Sequence, residues 1–333
     1  MGATIQIIDD RFEEEGDRDF LRDINHGLSM PTKRIPSKYF YDANGSKLFN
    51  EITRHPDYYL TNCELDILTR YKQEIAGFLT KETCNLIELG PGEGIKTSLL
   101  LDEFMTRNLR FTYYPVDISR QYLIDLEKKI AKQWPRLDIT GLKADYLHGI
   151  QWLTRHSSHK NLVLFLGSSI GNYDFAAANQ FLRHLWQSLN HGDYLLIGFD
   201  LRKDIHVLTR AYNDSDGITR QFNLNLLRRM NTELDANFII DQFEHYGVYN
   251  VHSGAMESYL LSRCEQDVVI GKLNRTFHFH LLEPIHVEYS FKYLPTQIAQ
   301  LAHDNGFQRL QNFTDSKNYF IDSLWQVDKS NTI

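Results

Sequence analysis

Cysteine is scarce in this sequence, and its scarcity narrows the class of protein. The chain has three cysteines in 333 residues, Cys63, Cys84 and Cys264, and none stands in a CxxC pair. Widely spaced cysteines in odd number exclude a disulfide framework and a structural zinc site as the basis of the fold. We therefore expect reduced thiols, no metal centre and a cytoplasmic location.

An excess of positive charge and long apolar runs are also missing. Lys and Arg number 36 against 43 Asp and Glu, which gives a formal net charge of −7. An acidic chain is a poor partner for nucleic acid or an anionic membrane. No stretch approaches the length of a transmembrane helix without a charge or a glycine, and the acidic N-terminus lacks the apolar core of a secretory signal. We expect a monomer with a small-molecule substrate, no nucleic acid and no membrane.

The first eighty residues read as helices separated by turns. Apolar spacing predicts helices over about 10–30 and 62–78. Ser46 is predicted to cap a short helix that ends near Ile52. Thr61 and Glu64 have the spacing of a capping box at the start of the second long helix.

From about residue 84, short apolar runs alternate with amphipathic segments, one of which, SRQYLIDLEKKIAKQW, is predicted to be a helix capped by Ser119. NLVLFLGSS and DYLLIGFD are apolar on both faces, as strands of a buried parallel sheet are. Strands alternating with helices predict a doubly wound, Rossmann-like α/β domain. In residues 203–285 the pattern changes to a mixture of helix-like and strand-like segments, which indicates a second, α+β domain. We predict one domain from 63–202 plus 293–333 and a second from 1–62 plus 203–292.

A glycine loop, ELGPGEG, follows the first predicted strand. Gly90, Gly92 and Gly94 permit backbone conformations closed to other residues and let the main chain approach a ligand. Asp117 ends the next strand, where an acid can accept hydrogen bonds from a ribose diol. Asp145 and Tyr146 follow the third strand, suited to an exocyclic amine and a purine face. Ligands of such sheets bind at these strand ends.

The loop favours S-adenosylmethionine over a dinucleotide. A dinucleotide fingerprint reads G-x-G-x-x-G, whereas this chain has G-x-G-x-G. Glu88 and Glu93 beside the loop are expected to disfavour a pyrophosphate at the helix end. A dinucleotide-dependent oxidoreductase and a non-catalytic sensor remain as alternatives.

Candidate substrate residues lie in later loops and strands. Asn172 follows the strand-loop FLGSSIGN and offers an amide oxygen to an amine. Glu288 and Ser290 share one face of the alternating stretch HVEYSFKY, where a carboxylate beside a hydroxyl can receive a heterocyclic N–H. Two solvent-facing polar residues on an edge strand would show the same spacing.

Five segments stand in order and with consistent spacing along the chain: FYDANGSKLFNEITRHPDYYLTNCE, ELGPGEGIKT, FLGSSIGN, RAYNDSDGITRQFN and VEYSFKY. Together they resemble the histidine-specific N-α-methyltransferase family, which makes hercynine on the ergothioneine pathway and is related to fungal N-methyltransferases of tryptophan derivatives. The resemblance spans about residues 19–328. It implies transfer of three methyl groups from S-adenosylmethionine to the α-nitrogen of free histidine.

The resemblance also implies site residues. The implied cofactor residues are Gly90, Lys96, Asp117, Asp145 and Tyr146. The implied substrate residues are Tyr41, Tyr58, Asn172, Tyr212, Glu288 and Ser290, with Asn172 and Tyr58 as the catalytic pair. Glu288 and Ser290 would hold the imidazole and Tyr212 the carboxylate. Ser258 stands where histidine enzymes of the family carry Met, with Met256 two residues earlier, so another aromatic amino acid or an indole derivative stays open as the substrate.

Overall fold

The computed structural model of the chain describes residues 4–7, 11–79 and 83–330. The strands are β1 (Thr4–Ile7), β2 (Cys84–Leu89), β3 (Phe111–Asp117), β4 (Asp138–Lys143), β5 (Lys160–Phe165), β6 (Tyr194–Asp200), β7 (Phe243–Asn250), β8 (Ala255–Ser262), β9 (Gln266–Ile270), β10 (Arg275–Phe279), β11 (Pro284–Phe291), β12 (Phe307–Thr314) and β13 (Phe320–Val327). The helices are α1 (Arg11–Leu28), α2 (Ala43–Arg54), α3 (Tyr59–Gly77), α4 (Ile95–Thr106), α5 (Arg120–Gln133), α6 (Tyr146–His156), α7 (Phe175–Ser188), α8 (Ile205–Tyr212), α9 (Ile218–Glu233) and α10 (Pro295–Asp304).

The chain divides into two compact units. Unit 1 comprises Met1–Phe12, Asn62–Leu201 and Tyr293–Ile333. Unit 2 comprises Glu13–Thr61 and Arg202–Lys292. The sequence division had placed residues 1–62 in the second domain, but β1 pairs in parallel with β4, so the first residues fall in unit 1.

Unit 1 is built on an eight-stranded sheet in the order β1-β4-β3-β2-β5-β6-β13-β12. The strands from β1 to β6 run parallel, while β13 and β12 are antiparallel additions after β6. Strand β2 is buried along its whole length, as its apolar sequence predicts. The strand order reverses between β2 and β5, so the loops after these strands flank the switch point where such sheets bind ligands. The predicted doubly wound α/β fold is confirmed.

Unit 2 is an α+β unit. Strands β11, β8 and β7 form an antiparallel sheet, and β9 and β10 form a hairpin. Its core joins α1, α2 and α9 to these strands through buried apolar side chains such as Phe20, Ile52, Phe222 and Leu260. The strand-like and helix-like segments predicted in 203–285 are confirmed as β7 to β10 and α9.

Two helix starts differ from the sequence prediction, and one agrees. Asp42 rather than Ser46 caps α2 and accepts a hydrogen bond from the Gly45 N–H at 2.6 Å. The predicted capping box at Thr61 is wrong because α3 begins two residues earlier, at Tyr59, and the Glu64 carboxylate is bound elsewhere. Ser119 caps α5 as predicted, accepting from the Tyr122 N–H at 3.3 Å.

Candidate active site

The glycine loop between β2 and α4 has a backbone that few residues other than glycine adopt. Gly90, Gly92 and Gly94 have φ of +68°, +54° and +67°, in the left-handed region. A Cβ at Gly90 would lie 2.6 Å from the Tyr146 hydroxyl oxygen, a separation too short for a real contact. Two of the predicted cofactor residues, Gly90 and Tyr146, therefore lie against each other in unit 1.

Acidic side chains stand where β3 ends and where α6 begins. Asp117 accepts a hydrogen bond from the Ser119 N–H at 2.8 Å, and burial raises the pKa of its carboxyl to about 6. Burial and, secondarily, this carboxylate raise the pKa of the Tyr146 phenol. Strand β4 ends at Lys143, and Asp145 caps α6 by accepting from the His148 N–H at 3.0 Å. A carboxylate oxygen has a second lone pair, so both acids retain acceptor capacity.

Lys96 is part of a buried charge cluster that the sequence did not predict. Its Nζ lies 2.5 Å from a carboxylate oxygen of the fully buried Glu64. That carboxylate also accepts from the Gly167 N–H, at 2.7 and 3.0 Å to its two oxygens. Burial and the charge of Glu64 raise the pKa of the neighbouring Asp322 well above its usual range. Lys96 thus acts on the loop after β5 through Glu64.

Glu88 does not face the ligand side of the glycine loop. Its carboxylate is buried and accepts hydrogen bonds from the hydroxyls of Thr97 and Tyr113. Burial raises its pKa to about 7. The expectation that Glu88 repels a pyrophosphate is therefore wrong, because this carboxylate anchors the base of the loop instead.

Three predicted substrate residues of unit 2 lie on two elements: Tyr212 ends α8, and Glu288 and Ser290 belong to β11. The Tyr212 hydroxyl donates to the Ser290 hydroxyl at 2.6 Å. Lys292 Nζ donates to both oxygens at 2.8 Å and lies 4.7 Å from the centre of the Tyr212 ring. We name Tyr212, Ser290 and Lys292 the hydroxyl cluster. Lys292 was not singled out from the sequence, although it continues the alternation of Glu288 and Ser290.

Glu288 stands two residues before Ser290 and pairs across the sheet with Ser258. The Ser258 hydroxyl donates to Glu288 at 3.4 Å. Burial raises the pKa of the Glu288 carboxyl to about 7, and the positive charge of Lys292 acts in the opposite direction. Glu288 is half-buried and bonded to Ser258, so it is not the fully solvent-facing residue that its spacing alone would allow.

Aromatic rings link the remaining predicted tyrosines. The Tyr58 ring lies 6.5 Å from that of Tyr212 and 6.4 Å from that of Phe49. Tyr41, which is 40% exposed, packs edge-on against Phe49 at 5.5 Å. Tyr58 and Tyr212 are thus brought together directly, and Tyr41 joins them through Phe49. Asn172 belongs to unit 1, where it is exposed at the end of a short 3-10 helix, Ser169–Asn172.

A sequence profile of a family described as histidine-specific, SAM-dependent methyltransferases matches residues 20–327. The chain belongs to that family. The family resemblance read from the five segments is therefore confirmed, together with the methyltransferase class and the use of S-adenosylmethionine. The oxidoreductase and sensor alternatives are set aside.

Three relatives of this methyltransferase indicate its place in the family. It is 35% identical to the histidine N-α-methyltransferase of Mycobacterium tuberculosis, covering 94% of this chain and 96% of that protein. It is 36% identical to the enzyme of the same name from Mycolicibacterium smegmatis, covering 91% and 93%. It is 32% identical to ergothioneine biosynthesis protein 1 of Schizosaccharomyces pombe, covering 86% of this chain and 38% of that protein.

The described residues of this methyltransferase contain one group with the donor chemistry of a metal site, Glu265, His278 and His280. All three are exposed, and the Glu265 carboxylate lies 3.0 Å from His278 Nε2 and 3.2 Å from His280 Nδ1. His278 Nδ1 also lies 2.8 Å from Asp267. The carboxylates satisfy the imidazoles by hydrogen bonds, so the group is an exposed ion-pair network on the β9–β10 hairpin. In residues 4–7, 11–79 and 83–330, no helix is long and apolar enough to cross a membrane.

Proposed function

We propose that this methyltransferase transfers three methyl groups from S-adenosylmethionine to the α-nitrogen of free L-histidine, giving the trimethylated betaine hercynine. The observation that carries the proposal is the half-buried carboxylate of Glu288, whose pKa is raised to about 7 by burial, two residues before the buried Ser290 on one strand of unit 2. A carboxylate and a hydroxyl two residues apart match the two nitrogens of an imidazole. Two relatives at 35% and 36% identity that are named histidine N-α-methyltransferases support the same substrate.

The cofactor residues of unit 1 fit the parts of S-adenosylmethionine. Gly90 lets the Tyr146 hydroxyl lie against the main chain, since any Cβ would collide with it, and the space beside Gly92 is open for a ligand. We assign Asp117 to the ribose hydroxyls, Asp145 to the adenine amine and Tyr146 to the purine face. Lys96 would hold the loop after β5 through Glu64 and Gly167. When bound, S-adenosylmethionine supplies an electrophilic methyl group on a sulfonium.

Each substrate residue is assigned to one part of the amino acid. Glu288 and Ser290 hold the ring, Tyr212 the carboxylate, and Asn172 accepts one N–H of the amine. The amine must be neutral to attack; the pKa of an α-amine is about 8 in model peptides and is higher in a free amino acid, because the carboxylate is close. Its lone pair forms the new N–C bond as the methyl–sulfur bond breaks, and the released proton goes to water, directly or through the Tyr58 hydroxyl. Most of the rate would come from holding the amine in attack geometry.

A second candidate is methylation of a larger aromatic amino acid such as tryptophan. Ser258, which is 1% exposed and pairs across the sheet with Glu288, is a small side chain where histidine enzymes resembling this chain carry Met. A smaller wall residue favours a larger ring. Glu288 argues against this candidate, because an indole offers one N–H and no acceptor for the Ser290 hydroxyl.

Mass spectrometry of the purified protein, incubated with S-adenosylmethionine and one amino acid at a time, tests the proposal. We expect a gain of three methyl groups on histidine and none on tryptophan or tyrosine. Tandem fragmentation must place the methyl groups on the α-nitrogen. Methylation of tryptophan alone would overturn the substrate assignment while leaving the enzyme class intact.

The quaternary state and location complete the proposal. Every residue assigned to the site belongs to one chain, so a monomer of 39.1 kDa suffices for activity. Free cysteines at all three positions suit the reducing cytoplasm. Light scattering on a sizing column checks the first point, since a stable dimer would double the measured mass.

A further inference from the structure

Unit 1 contains a fully buried aspartate, Asp322 on β13, that has no part in the proposed methyl transfer. Among the described residues, no N–H or hydroxyl group donates a hydrogen bond to either of its carboxyl oxygens. An ionised carboxylate is costly to bury without such donors, and in that setting the carboxyl takes up a proton instead. The surroundings of Asp322 therefore favour its protonated form.

The residue opposite Asp322 in the sheet is a glycine, and a carboxylate from α3 occupies the space beside it. Asp322 pairs in register with Gly198 of β6. Directly paired antiparallel residues place their Cβ positions on the same face, about 4.5–5.5 Å apart. A Cβ at Gly198 would lie 2.6 Å from Glu64 Oε1, so this oxygen stands where the missing side chain would be. Burial and, next, the charge of Glu64 raise the pKa of Asp322, as this proximity requires.

Of these two carboxyl groups, Glu64 has the donors that stabilise a negative charge. Lys96 Nζ lies 2.5 Å from Oε2, and the Gly167 nitrogen lies 2.7 Å from Oε1 and 3.0 Å from Oε2. Such donors favour the ionised form of Glu64, whereas Asp322 receives none. A carboxylate has about four lone-pair sites, so Glu64 Oε1 can accept one more hydrogen bond. A protonated Asp322 has the O–H that this oxygen can accept.

We propose that Asp322 is a positioning residue of the cofactor site: its protonated carboxyl donates to Glu64, and the pair directs a single negative charge at Lys96 and Gly167. The inference deepens the proposed function, because it rests on the assignment of Lys96 and of the loop after β5 to S-adenosylmethionine. Lys96 lies in the first turn of α4, directly after the glycine loop, and Gly167 follows β5. The pair thus fixes to each other the two segments that flank the switch point of the sheet.

Matched substitutions in the full-length enzyme show which carboxyl carries the proton. D322N keeps an N–H donor for Glu64, so its dissociation constant for S-adenosylmethionine should stay within about threefold of the wild type. D322L keeps a similar volume without a donor and should weaken binding by about 10-fold. E64Q removes the charge that holds Lys96 and should weaken binding by about 10- to 100-fold, a loss that appears in KM for S-adenosylmethionine more than in kcat. Isothermal titration calorimetry measures each dissociation constant.

Infrared spectroscopy detects the proton itself, which a merely structural role for Asp322 does not require. The carbonyl stretch of a protonated carboxyl is resolved from the bands of a carboxylate. At about pH 8 the wild type should show such a band and D322N should lack it. Glu88 and Glu288, whose pKa values burial raises to about 7, are mainly ionised at that pH and are present in both proteins. D125N and D125L change an exposed aspartate of α5 and should alter neither the band nor the affinity.

The outcomes are distinct. A tolerated D322N, a weakened E64Q and a band that D322N removes support the inference. A tolerated E64Q with a weakened D322N would place the proton on Glu64, and it would overturn the role of Asp322, as would a D322N spectrum identical to that of the wild type. If D322L does not fold, the comparison of D322N with E64Q and the infrared band still decide. A wild type that does not methylate histidine overturns the proposed function and leaves these binding and infrared results unaffected.

Discussion

The proposed cofactor site of unit 1 is formed mainly by backbone, whereas the proposed substrate site of unit 2 is formed by side chains. The glycine loop of unit 1 is shaped by backbone, with three residues in the left-handed region, Gly90 in close contact with Tyr146 and open space beside Gly92. The part of unit 2 to which we assign the substrate ring is formed by the mutually hydrogen-bonded side chains of Tyr212, Ser290 and Lys292, with Glu288 two residues before Ser290. A site formed by backbone can be predicted from a local sequence motif. The hydrogen bonds of a side-chain network are known only once the structure shows which side chains are in contact.

The largest expected effect comes from adding one methyl group to the backbone site. G90A places a Cβ 2.6 Å from the Tyr146 hydroxyl at a residue with φ of +68°. Left-handed strain of about 1–2 kcal/mol and this collision should together weaken S-adenosylmethionine binding by about 100-fold or more. Isothermal titration calorimetry measures the change. G77A is the matched control, because a Cβ at Gly77 meets nothing within 4 Å. Equal affinity for S-adenosylmethionine in G90A and wild type would contradict the assignment of the glycine loop to cofactor binding.

The second effect tests the side-chain site in isolation. E288A should leave a ring N–H without its acceptor and raise KM for histidine by about 10- to 100-fold, since an unpaired buried group costs about 1–3 kcal/mol. Affinity for S-adenosylmethionine should not change. E244A removes an exposed carboxylate from β7 of the same unit and serves as the control. Unaltered histidine kinetics in E288A would remove Glu288 from the ring site.

A smaller effect is expected from pH at the cofactor site. Burial raises the pKa of Asp117 to about 6, so this carboxyl gains a proton, and loses its negative charge, as pH falls through about 6. A carboxylate accepts ribose hydroxyl protons better than a carboxyl does, so affinity for S-adenosylmethionine should be constant above pH 7. Below pH 6 it should fall by at most about tenfold per pH unit. In D117N the fall near pH 6 should vanish; its persistence there would point to another group.

The smallest effect separates the stability of unit 2 from cofactor binding by unit 1. Asp42 caps α2 and also accepts from the Asn225 side chain at 2.8 Å. D42A should lower the free energy of unfolding by about 0.5–2 kcal/mol, whereas S46A should have little effect because Ser46 is not the cap. Urea titration measures both variants. A loss of S-adenosylmethionine affinity in D42A comparable to that of G90A would show that the two units are not independent.

The sequence was sufficient for the parallel sheet and the glycine loop because both depend on local patterns. Apolar runs such as NLVLFL specify β5, and closely spaced glycines specify the turn that follows β2. Helix starts were less secure, since Asp42 and Ser46 are both good caps and only tertiary packing decides between them. Glu64 was read as part of a local capping box, and its true partners, Lys96 and Gly167, are 32 and 103 residues away along the chain.

The hydrogen bonds of the proposed substrate site could not be predicted from the sequence either, because they join residues that are far apart along the chain. The spacing of Glu288 and Ser290 placed them on one face, but a solvent-exposed pair would have the same spacing. The contact of Lys292 with Tyr212 joins residues 80 positions apart, and that of Ser258 with Glu288 joins residues 30 positions apart. Such contacts form only when distant segments of the chain pack together, and no local motif predicts them.

A competition assay tests the central claim, histidine as the methyl acceptor, most directly. Equimolar histidine and tryptophan would be incubated with limiting S-adenosylmethionine and the wild-type enzyme, and the methylated products quantified by mass spectrometry. We expect trimethylated histidine to dominate, with its share reduced in E288A. Preferential methylation of tryptophan by the wild type would contradict the assignment of Glu288 and Ser290 to an imidazole.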